Sequence, residues 1–394
     1  MRVLLATESS LPYVSGVTVS VDAQARALGD RGHEVLVLAP RSADGGEPPP
    51  AGSPGPAPRY AWLPSYELPR IVPPGYRMPL PLPWTSAMTE ARRFEPDVVH
   101  AHSPFVTGLM ARRLARAASA PFVFTHHTRF TDYGHYLGPL AGPGARATHA
   151  YLGAFWSACS AIVAPSTDLA EEIRKRLPGD RGDRVHVIPT GVDVAGIRGL
   201  DPRDDRAGAG WSADAVVVAS LGRLAPEKSP GVILEAVAAS DPRLRLVMVG
   251  GGPSEPELRR RAAAADLSGR VRMTGGLPRT EALATIAAAD LFAFASRTET
   301  QGLVLAEALA AGLPAVAVDG PGVRDSVRDG IDGVVVDATP ADSRAHRLGQ
   351  ALSGLAADAD RRRQMAARAR EDADRFSIDR RTDEVESLYR SLIA

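Results

Sequence analysis

The fold is indicated most clearly by the stretch Leu291-Phe-Ala-Phe-Ala-Ser-Arg-Thr-Glu-Thr-Gln-Gly-Leu-Val-Leu-Ala-Glu-Ala-Leu-Ala-Ala-Gly-Leu-Pro314. Its first five residues, Leu291–Ala295, are all apolar, which predicts a strand buried on both faces of a parallel sheet. A loop with Thr and Gly follows, and the next apolar-rich stretch predicts a helix from about Gly302 to Ala311. Strand, loop and helix in this order form the repeating unit of an α/β fold.

Two glutamates flank the predicted start of this helix. Glu299 lies in the loop, and Glu307 lies about one and a half turns inside the helix. The first N–H groups, at Gly302 and Leu303, would have no partner within the helix, and the helix dipole makes the potential there positive. An anion site beside two carboxylates suits a ligand with a phosphate in the middle and a hydroxyl-rich sugar at each end, such as a nucleotide sugar.

Short apolar runs alternate with helical patterns along the whole chain. Six runs predict strands in the first half: Val3–Ala6, Val35–Ala39, Val98–Ala101, Phe122–Thr125, Ile162–Ala164 and Val185–Ile188. Six more predict strands in the second half: Val216–Ser220, Leu244–Val249, Val271–Thr274, Leu291–Ala295, Ala315–Val318 and Val334–Val336. This alternation predicts two Rossmann-like, doubly wound α/β domains, with ligands at the carboxyl ends of the strands in a central cleft between the domains.

The predicted domain boundary lies near Thr190–Gly199. We expect residues 1–195 to form an acceptor-side domain and residues 196–377 to form a domain that binds the nucleotide sugar. The helical pattern breaks at Phe376-Ser-Ile378, and the amphipathic stretch after it predicts that a C-terminal helix, 378–394, returns to the first domain.

Composition narrows the class of protein. Lys and Arg together number 46, as do Asp and Glu, so the formal charge is zero, which argues against nucleic acid as the main partner. The single cysteine, Cys159, suits a reducing cytosol. No run of apolar residues is long enough to span a bilayer, and the N-terminus becomes polar too soon for a signal peptide. These features predict a cytoplasmic protein.

A basic pair follows the first strand of the second domain. Arg223 and Lys228 lie in Leu221-Gly-Arg-Leu-Ala-Pro-Glu-Lys-Ser229. A guanidinium fork and an ammonium group together suit a diphosphate. An ordinary basic loop is the alternative, but Lys228 is one of only two lysines in an arginine-rich chain, which favours a specific role.

Two glycine-containing turns also follow strands. Gly251 lies in Val249-Gly-Gly-Gly-Pro253, and Gly16 follows Ser15 before a predicted helix. Both turns would let a phosphate approach the backbone, but such turns also occur for structural reasons alone.

The segment Phe122-Val-Phe-Thr-His-His-Thr-Arg-Phe-Thr-Asp-Tyr-Gly-His-Tyr136 is unusually polar and aromatic for the end of a strand. Its histidines lack the i, i+4 spacing of a zinc pair and have no nearby Cys cluster, so we interpret them as hydrogen-bonding groups for a polyol. Structural histidines are the alternative. We assign acceptor hydroxyls to this rim of the first domain, at Tyr13, His102, Tyr133 and His135.

The chain lacks the motifs of two other kinds of catalysis. It has no Gly-x-Ser-x-Gly nucleophile motif, which argues against hydrolysis through a serine nucleophile. It has no strand-end Asp-x-Asp, so no metal site is predicted.

Together these residues make the chain resemble family 4 of the retaining glycosyltransferases, which have the GT-B fold of two Rossmann-like domains. The resemblance rests on Glu299-x7-Glu307, the Arg223/Lys228 loop, Ile188-Pro-Thr-Gly-Val-Asp193 and Ser15-Gly16. The family usually has a second glycine where this chain has Ser15. The family is typically independent of metal and needs no cofactor, and its donor here would be a UDP- or GDP-hexose.

The resemblance implies a role for each matched residue. Glu307 would bind the ribose diol, Glu299 the donor sugar, Arg223 and Lys228 the diphosphate, and His127 the donor hexose. The implied catalytic set is His127, Glu299, Arg223 and Lys228. The implied donor-binding set is Gly16, Arg223, Lys228, Gly251, Glu299, Gly302, Leu303 and Glu307.

A finer resemblance concerns the acceptor. Glu299-Thr-Gln-Gly302 and Asp132-Tyr-Gly-His-Tyr136 are similar to bacterial diacylglycerol glycosyltransferases, which implies a lipid acceptor and peripheral contact with the inner face of the membrane. Arginines that could meet anionic headgroups are Arg92, Arg93, Arg112, Arg113 and Arg116. A small soluble natural product or aminocyclitol is the alternative acceptor. A GT-B-fold nucleotide-sugar epimerase and a non-catalytic nucleotide-sugar binder are alternatives of another class.

Overall fold

The computed structural model describes residues 1–10, 13, 15–41, 57–67, 76–129, 141–177, 179, 181–204, 206 and 208–394. The chain divides into two compact units, Met1–Gly191 together with Ile378–Ala394, and Val192–Ser377. Each unit is an α/β body built on a parallel sheet.

The sheet of the first unit has seven parallel strands among the described residues, in the order β3-β2-β1-β6-β7-β8-β9. In chain order they are β1 (Arg2–Ala6), β2 (Glu34–Pro40), β3 (Arg59–Leu63), β6 (Val98–Ala101), β7 (Phe122–Thr125), β8 (Ala161–Ala164) and β9 (Val185–Val187). A separate antiparallel ribbon pairs β4 (Ser65–Glu67) with β5 (Arg77–Pro79). The order reverses at β1, as in a doubly wound sheet.

Strand β3 was not among the six predicted for this half. It pairs with β2 at the edge of the sheet, with Leu36 opposite Arg59. Ala61 and Leu63 are fully buried, and Tyr60 and Trp62 on the other face are partly buried against the core. Tyr60–Leu63 is thus a short apolar run that indicated a strand and that sequence reasoning passed over.

Five helices of the first unit follow in chain order: α1 (Gly16–Asp30), α2 (Ser86–Arg93), α3 (Val106–Ala118), α4 (Ala141–Trp156) and α5 (Thr167–Arg176). The start of α1 explains the Ser15-Gly16 pair. The Ser15 hydroxyl accepts from the backbone N–H of Thr18 at 3.2 Å, and the Thr18 hydroxyl accepts from the N–H of Ser15 at 2.7 Å. This reciprocal cap fixes the first turn of α1.

The sheet of the second unit has six parallel strands in the order β12-β11-β10-β13-β14-β15 within the described chain. They are β10 (Val216–Leu221), β11 (Leu244–Val249), β12 (Val271–Gly275), β13 (Leu291–Phe294), β14 (Ala315–Val318) and β15 (Gly333–Val336). All six were predicted from their apolar runs. Strands β10, β11, β13 and β14 are mostly buried, whereas the edge strands β12 and β15 are mostly part-exposed.

The helices of the second unit are α6 (Val194–Arg198), α7 (Pro230–Ala238), α8 (Glu255–Ala262), α9 (Arg279–Ala287), α10 (Leu303–Ala310), α11 (Val323–Ser326), α12 (Arg344–Ala357) and α13 (Ala359–Glu371). Helix α10 is the one predicted from about Gly302 to Ala311, with Glu299 before its start and Glu307 inside it. Among the described residues, no helix has the length and apolar character that crossing a membrane requires.

The last helix, α14 (Ile378–Ile393), belongs to the first unit. Its Val385, Leu388 and Tyr389 are buried in the same core cluster as Val21 and Leu28 of α1. Where the chain leaves and re-enters the second unit, the N–H of Val192 donates to the carbonyl of Phe376 at 2.8 Å. The second unit is therefore inserted into the first between Gly191 and Ile378.

Candidate functional site

The predicted anion site of the second unit is built where β13 ends and α10 begins. Gly302 caps the helix with a left-handed backbone, φ +73°, and offers no capping side chain. The first N–H groups of α10 are therefore not satisfied by a capping side chain. Beside this helix start, the Lys228 Nζ donates to Glu299 Oε1 at 2.6 Å. Two residues that are 71 positions apart in sequence thus form one ion pair.

Arg223 lies in the same loop as Lys228. Its Nη1 is 3.9 Å from Glu227 Oε1, and about half of its side chain is exposed. Glu227 is nearly buried, and its Oε2 has no hydrogen-bond partner among the described residues. The Thr298 hydroxyl donates to the Glu227 carbonyl at 3.2 Å, which ties this basic loop to the loop that carries Glu299. The two predicted basic residues therefore share one loop, bonded to the loop that precedes α10.

Glu307 is also paired with a cation, which sequence reasoning did not find. Arg279, the first residue of α9, donates from Nη2 to Glu307 Oε1. The Glu307 side chain is 1% exposed, whereas that of Arg279 is 30% exposed. A buried carboxylate needs such a partner, because an unpaired charge in the protein interior is strongly unfavourable.

The Gly250-Gly-Gly252 turn is explained largely by backbone packing. A Cβ on Gly250 would lie 1.9 Å from the Gly222 carbonyl oxygen, and one on Gly252 would lie 2.4 Å from that of Leu224. The carbonyl of Gly251, between them, accepts from the N–H of Leu224 at 3.0 Å. These glycines let the loops after β10 and β11 touch, and a donor contact at Gly251 stays a prediction.

In the first unit, three histidines stack near the carboxyl ends of β6 and β7. The rings of His100 and His102 are 4.3 Å apart, and those of His102 and His127 are 5.1 Å apart. The His102 Nδ1 is 2.8 Å from the His127 Nε2, which is a hydrogen-bonding distance. The structure thus brings together two residues to which the sequence assigned different roles, His102 for the acceptor and His127 for the donor hexose.

These rings are uncharged near neutral pH. Burial lowers the pKa of His127 to about 4. Burial, followed by the nearby His127, lowers the pKa of His100 to about 3. Burial together with His100 and His127 lowers the pKa of His102 well below its usual value. A neutral imidazole has one nitrogen that donates a hydrogen bond and one that accepts a hydrogen bond, so each of these rings can do both.

His100 has a structural network of its own. The Gln24 amide donates to the Tyr389 hydroxyl at 3.1 Å, and that hydroxyl is 2.5 Å from His100 Nδ1. The other ring nitrogen, Nε2, is 2.7 Å from the Thr125 hydroxyl. His100 therefore links α14 to β7, which is a structural role.

Glu8, two residues after β1, is a carboxylate that sequence reasoning did not single out. It is 6% exposed and accepts from the backbone N–H of Thr107 at 3.3 Å, at the start of α3. Burial raises the pKa of its carboxyl, although hydrogen bonds from Ser103 oppose this. Near it, the rings of Tyr13 and Tyr76 meet edge to face at 5.4 Å.

The remaining predicted site residues fall into two groups. Gly16 is the first residue of α1, and a Cβ there would meet no atom within 4 Å, so there is open space beside it. Tyr133 and His135, predicted to bind the acceptor, lie outside the described residues.

Comparison with known proteins identifies the class. The family described as Glycosyltransferase Family 4 matches residues 14–195, and the family described as Glycosyl transferases group 1 matches residues 201–372. A GDP-mannose-dependent alpha-mannosyltransferase of Mycolicibacterium smegmatis is 34% identical over 86% of this chain and 84% of its own length. The chain therefore belongs to the family of glycosyltransferases that both of these models and this relative represent.

Two further proteins illustrate the range of this glycosyltransferase family. An alpha-monoglucosyldiacylglycerol synthase of Acholeplasma laidlawii is 30% identical over 85% of this chain and 84% of its own length. The crystal structure of Anabaena HepE in complex with UDP superposes with a TM-score of 0.74 at 18% identity and covers both chains in full. The protein is a hexosyltransferase that uses a nucleotide sugar, and its two parallel-sheet domains have the GT-B fold.

Two residues of the candidate site were missed for different reasons. Arg279 is one of many arginines, and nothing in its neighbourhood marks its partner 28 residues later. Glu8 carried a usable signal, because a carboxylate just after a buried strand lies at the edge of the sheet where ligands bind.

Proposed function

We propose that this glycosyltransferase retains the configuration of the anomeric carbon while it moves a hexose from UDP- or GDP-hexose to a hydroxyl of a diacylglycerol-like lipid. The proposal is supported above all by one arrangement. Lys228 forms an ion pair with Glu299, which lies three residues before Gly302 at the start of α10. A cation, a carboxylate and unsatisfied helix N–H groups then meet in one place.

The donor diphosphate binds the start of α10 together with Arg223 and Lys228. The Lys228–Glu299 pair is partly exposed, 27% and 22%, so it is worth little by itself and an incoming phosphate replaces it at low cost. Lys228 then faces the phosphate, and the Glu299 carboxylate is released to accept from sugar hydroxyls. The positive groups stabilise the charge that develops on the departing diphosphate.

The ribose diol donates to the Glu307 carboxylate. Arg279 donates to one oxygen of that carboxylate and so provides the buried side chain with a partner of opposite charge. In the first unit, His127 contacts the donor hexose. The acceptor attacks the face that the diphosphate leaves, and the departing phosphate oxygen takes the acceptor proton. No protein nucleophile is needed in this route.

A lipid acceptor is supported by one surface of the first unit. Phe105 and Leu109, at the start of α3, are 38% and 40% exposed, and the exposed Arg113 and Arg116 follow on the same helix. Exposed apolar side chains next to basic ones suit contact with an anionic lipid surface. The likeness to the alpha-monoglucosyldiacylglycerol synthase supports the same acceptor class.

The donor is tested first, by thermal shift with UDP-, GDP- and dTDP-sugars. A ligand at about 100 times its Kd stabilises the fold by about 2.7 kcal/mol, so the true donor gives a clear shift in Tm. Turnover with that donor follows, using diacylglycerol in mixed micelles and, separately, soluble polyols. NMR of the product reads its anomeric configuration, and an inverted product contradicts retention.

Membrane contact is tested by sedimentation with anionic liposomes at rising salt. We expect binding at low salt, release as salt rises, and weaker binding in Leu109→Asp. The matched control is Ile331→Asp, because Ile331 is comparably exposed, 46%, in the second unit. An enzyme that ignores every liposome yet glycosylates a soluble polyol contradicts the lipid acceptor and leaves the transferase assignment intact.

A further inference from the structure

His102 has one bonded and one unbonded ring nitrogen. Its Nδ1 lies 2.8 Å from His127 Nε2. Its Nε2 is buried and has no hydrogen-bond partner in the part of the chain that the structure describes, and the whole residue is 4% exposed. The backbone of His102 is held as well, because its N–H donates to the Ala6 carbonyl at 2.7 Å. The ring therefore has a fixed position and a single polar contact.

Two arrangements of protons fit this contact when both rings are neutral. In the first, His102 donates from Nδ1, so that His127 accepts at Nε2 and carries its own proton on Nδ1. In the second, His127 donates from Nε2, so that its Nδ1 is an acceptor and the proton of His102 lies on the buried Nε2. The two arrangements give His127 opposite hydrogen-bonding character at Nδ1.

The surroundings of His102 favour the first arrangement. In the second, a buried N–H would have lost its hydration without gaining an acceptor, which is unfavourable. His100, stacked on His102, cannot accept that proton, because its Nδ1 is bonded to Tyr389 and its Nε2 to Thr125. The first arrangement leaves only a lone pair unsatisfied at His102 Nε2.

We propose that His102 is a positioning residue that fixes the tautomer of His127, so that His127 Nδ1 carries the proton and is the ring's donor to a hydroxyl oxygen of the hexose. This inference rests on the proposed contact between His127 and the donor hexose. It assigns His102 a role different from acceptor binding. A neutral imidazole N–H can donate to a hydroxyl oxygen, and it adds no further full positive charge to those of Arg223 and Lys228 at the proposed diphosphate site.

The test compares two substitutions of nearly equal shape. In His102→Asn, the amide nitrogen can donate to His127 Nε2 from about the place of the lost Nδ1. In His102→Asp, the carboxylate can only accept a hydrogen bond. At about pH 8.5 the imidazole of His127 next to this carboxylate is neutral, so His127 must carry its proton on Nε2 to donate to it. His33→Asn is the matched control, because the His33 side chain is 6% exposed but lies at the start of β2 and bonds to Glu386 instead.

The direct readout is the tautomer of His127, from 15N NMR of labelled full-length enzyme. The His127 signals are assigned by their loss in His127→Gln. We expect the Nδ1–H form in the wild type, in His33→Asn and in His102→Asn, and the Nε2–H form in His102→Asp. A wild-type His127 in the Nε2–H form overturns the proposal, and this measurement needs no substitution at His102.

Kinetics provides the second readout. We expect kcat/KM for the donor to stay within about threefold in His102→Asn and to fall at least about tenfold in His102→Asp, while the Kd for the free nucleoside diphosphate stays within about twofold. Equal kcat/KM in the two variants overturns the proposal. If His127→Gln turns over as fast as the wild type, the hexose contact itself is wrong, and the NMR result still reports whether His102 sets the tautomer.

Discussion

The two units share one kind of sheet but differ in the polar groups that they place near its edge. Eight of the nine histidines lie in the first unit, and His346 is the one in the second. The first unit buries neutral rings that bond to each other, such as His102 and His127. The second unit uses ion pairs, Lys228 with Glu299 and Arg279 with Glu307. One fold therefore supports two kinds of polar site. The neutral rings of the first unit suit the uncharged hexose proposed to bind there, and the charged pairs of the second unit suit the proposed diphosphate.

The largest expected effect is a difference in acid stability between the units. Burial holds the pKa values of His100 and His126 at about 3 and that of His127 at about 4, whereas an unfolded histidine titrates near 6.5. As pH falls below about 6.5, these histidines bind protons in the unfolded chain but stay unprotonated in the folded unit. The first unit should then lose about 1.4 kcal/mol per pH unit for each such histidine, roughly 4 kcal/mol for three.

The second unit should resist this pH range. Its Asp241, Asp266 and Asp372 have pKa values lowered by hydrogen bonds from arginines, so the stability that they add is lost only as pH falls below about 4. Urea unfolding at pH 7, 6 and 5 can separate the units, because Trp211 is the only tryptophan of the second unit and Trp156 is buried in the first. Parallel losses at both reporters between pH 6.5 and 5 would contradict the comparison.

The next effect concerns the charged site of the second unit. Lys228→Ala should cost about 2–4 kcal/mol of transition-state stabilisation, or roughly 30- to 1000-fold in kcat/KM, because one group that faces the leaving diphosphate is lost. Lys175→Ala is the matched control. Lys175 is the chain's other lysine, and its side chain is 77% exposed in a helix-surface pair with Glu171. A Lys228→Ala enzyme within about threefold of wild-type kcat/KM refutes the diphosphate assignment.

The smallest of the three effects separates a buried ion pair from an exposed one on the same helix. Arg279→Ala leaves the buried Glu307 carboxylate without its cation, so the second unit should lose about 2 kcal/mol of free energy of unfolding. Arg203→Ala removes the exposed pair with Glu281 of α9 and should cost less than about 1 kcal/mol. Urea unfolding followed at Trp211 measures both. Equal losses would mean that the Arg279 contact stabilises no more than a surface pair.

Apolar pattern predicted most of the two sheets. Phe122–Thr125, Leu244–Val249 and Ala315–Val318 have the same bounds in sequence prediction and structure, because strands buried on both faces are continuous apolar runs between turn residues. The edge strand Arg59–Leu63 and the ribbon of Ser65–Glu67 with Arg77–Pro79 were not found. The two ribbon strands are short and little buried, so few apolar positions mark them, whereas Tyr60–Leu63 is an apolar run that sequence reasoning passed over.

Sequence reasoning singled out residues of the candidate site but not the pairs that they form. Glu299 and Lys228 each follow a strand, and their places at one edge of a sheet follow from parallel topology. That they bond to each other depends on how two loops turn, which no local pattern encodes. The same holds for Arg279 with Glu307 and for His102 with His127, whose contacts arise between elements 28 and 25 positions apart.

The return of the chain to the first unit has a consequence for biosynthesis. Tyr389, which has no exposed surface and bonds to His100, lies beyond the whole second unit in the sequence. The second unit, Val192–Ser377, is therefore synthesised before that residue. The order of synthesis is thus the reverse of the usual one for two-domain chains, in which the N-terminal domain finishes first. His100 acquires its full environment only after the second unit has been synthesised.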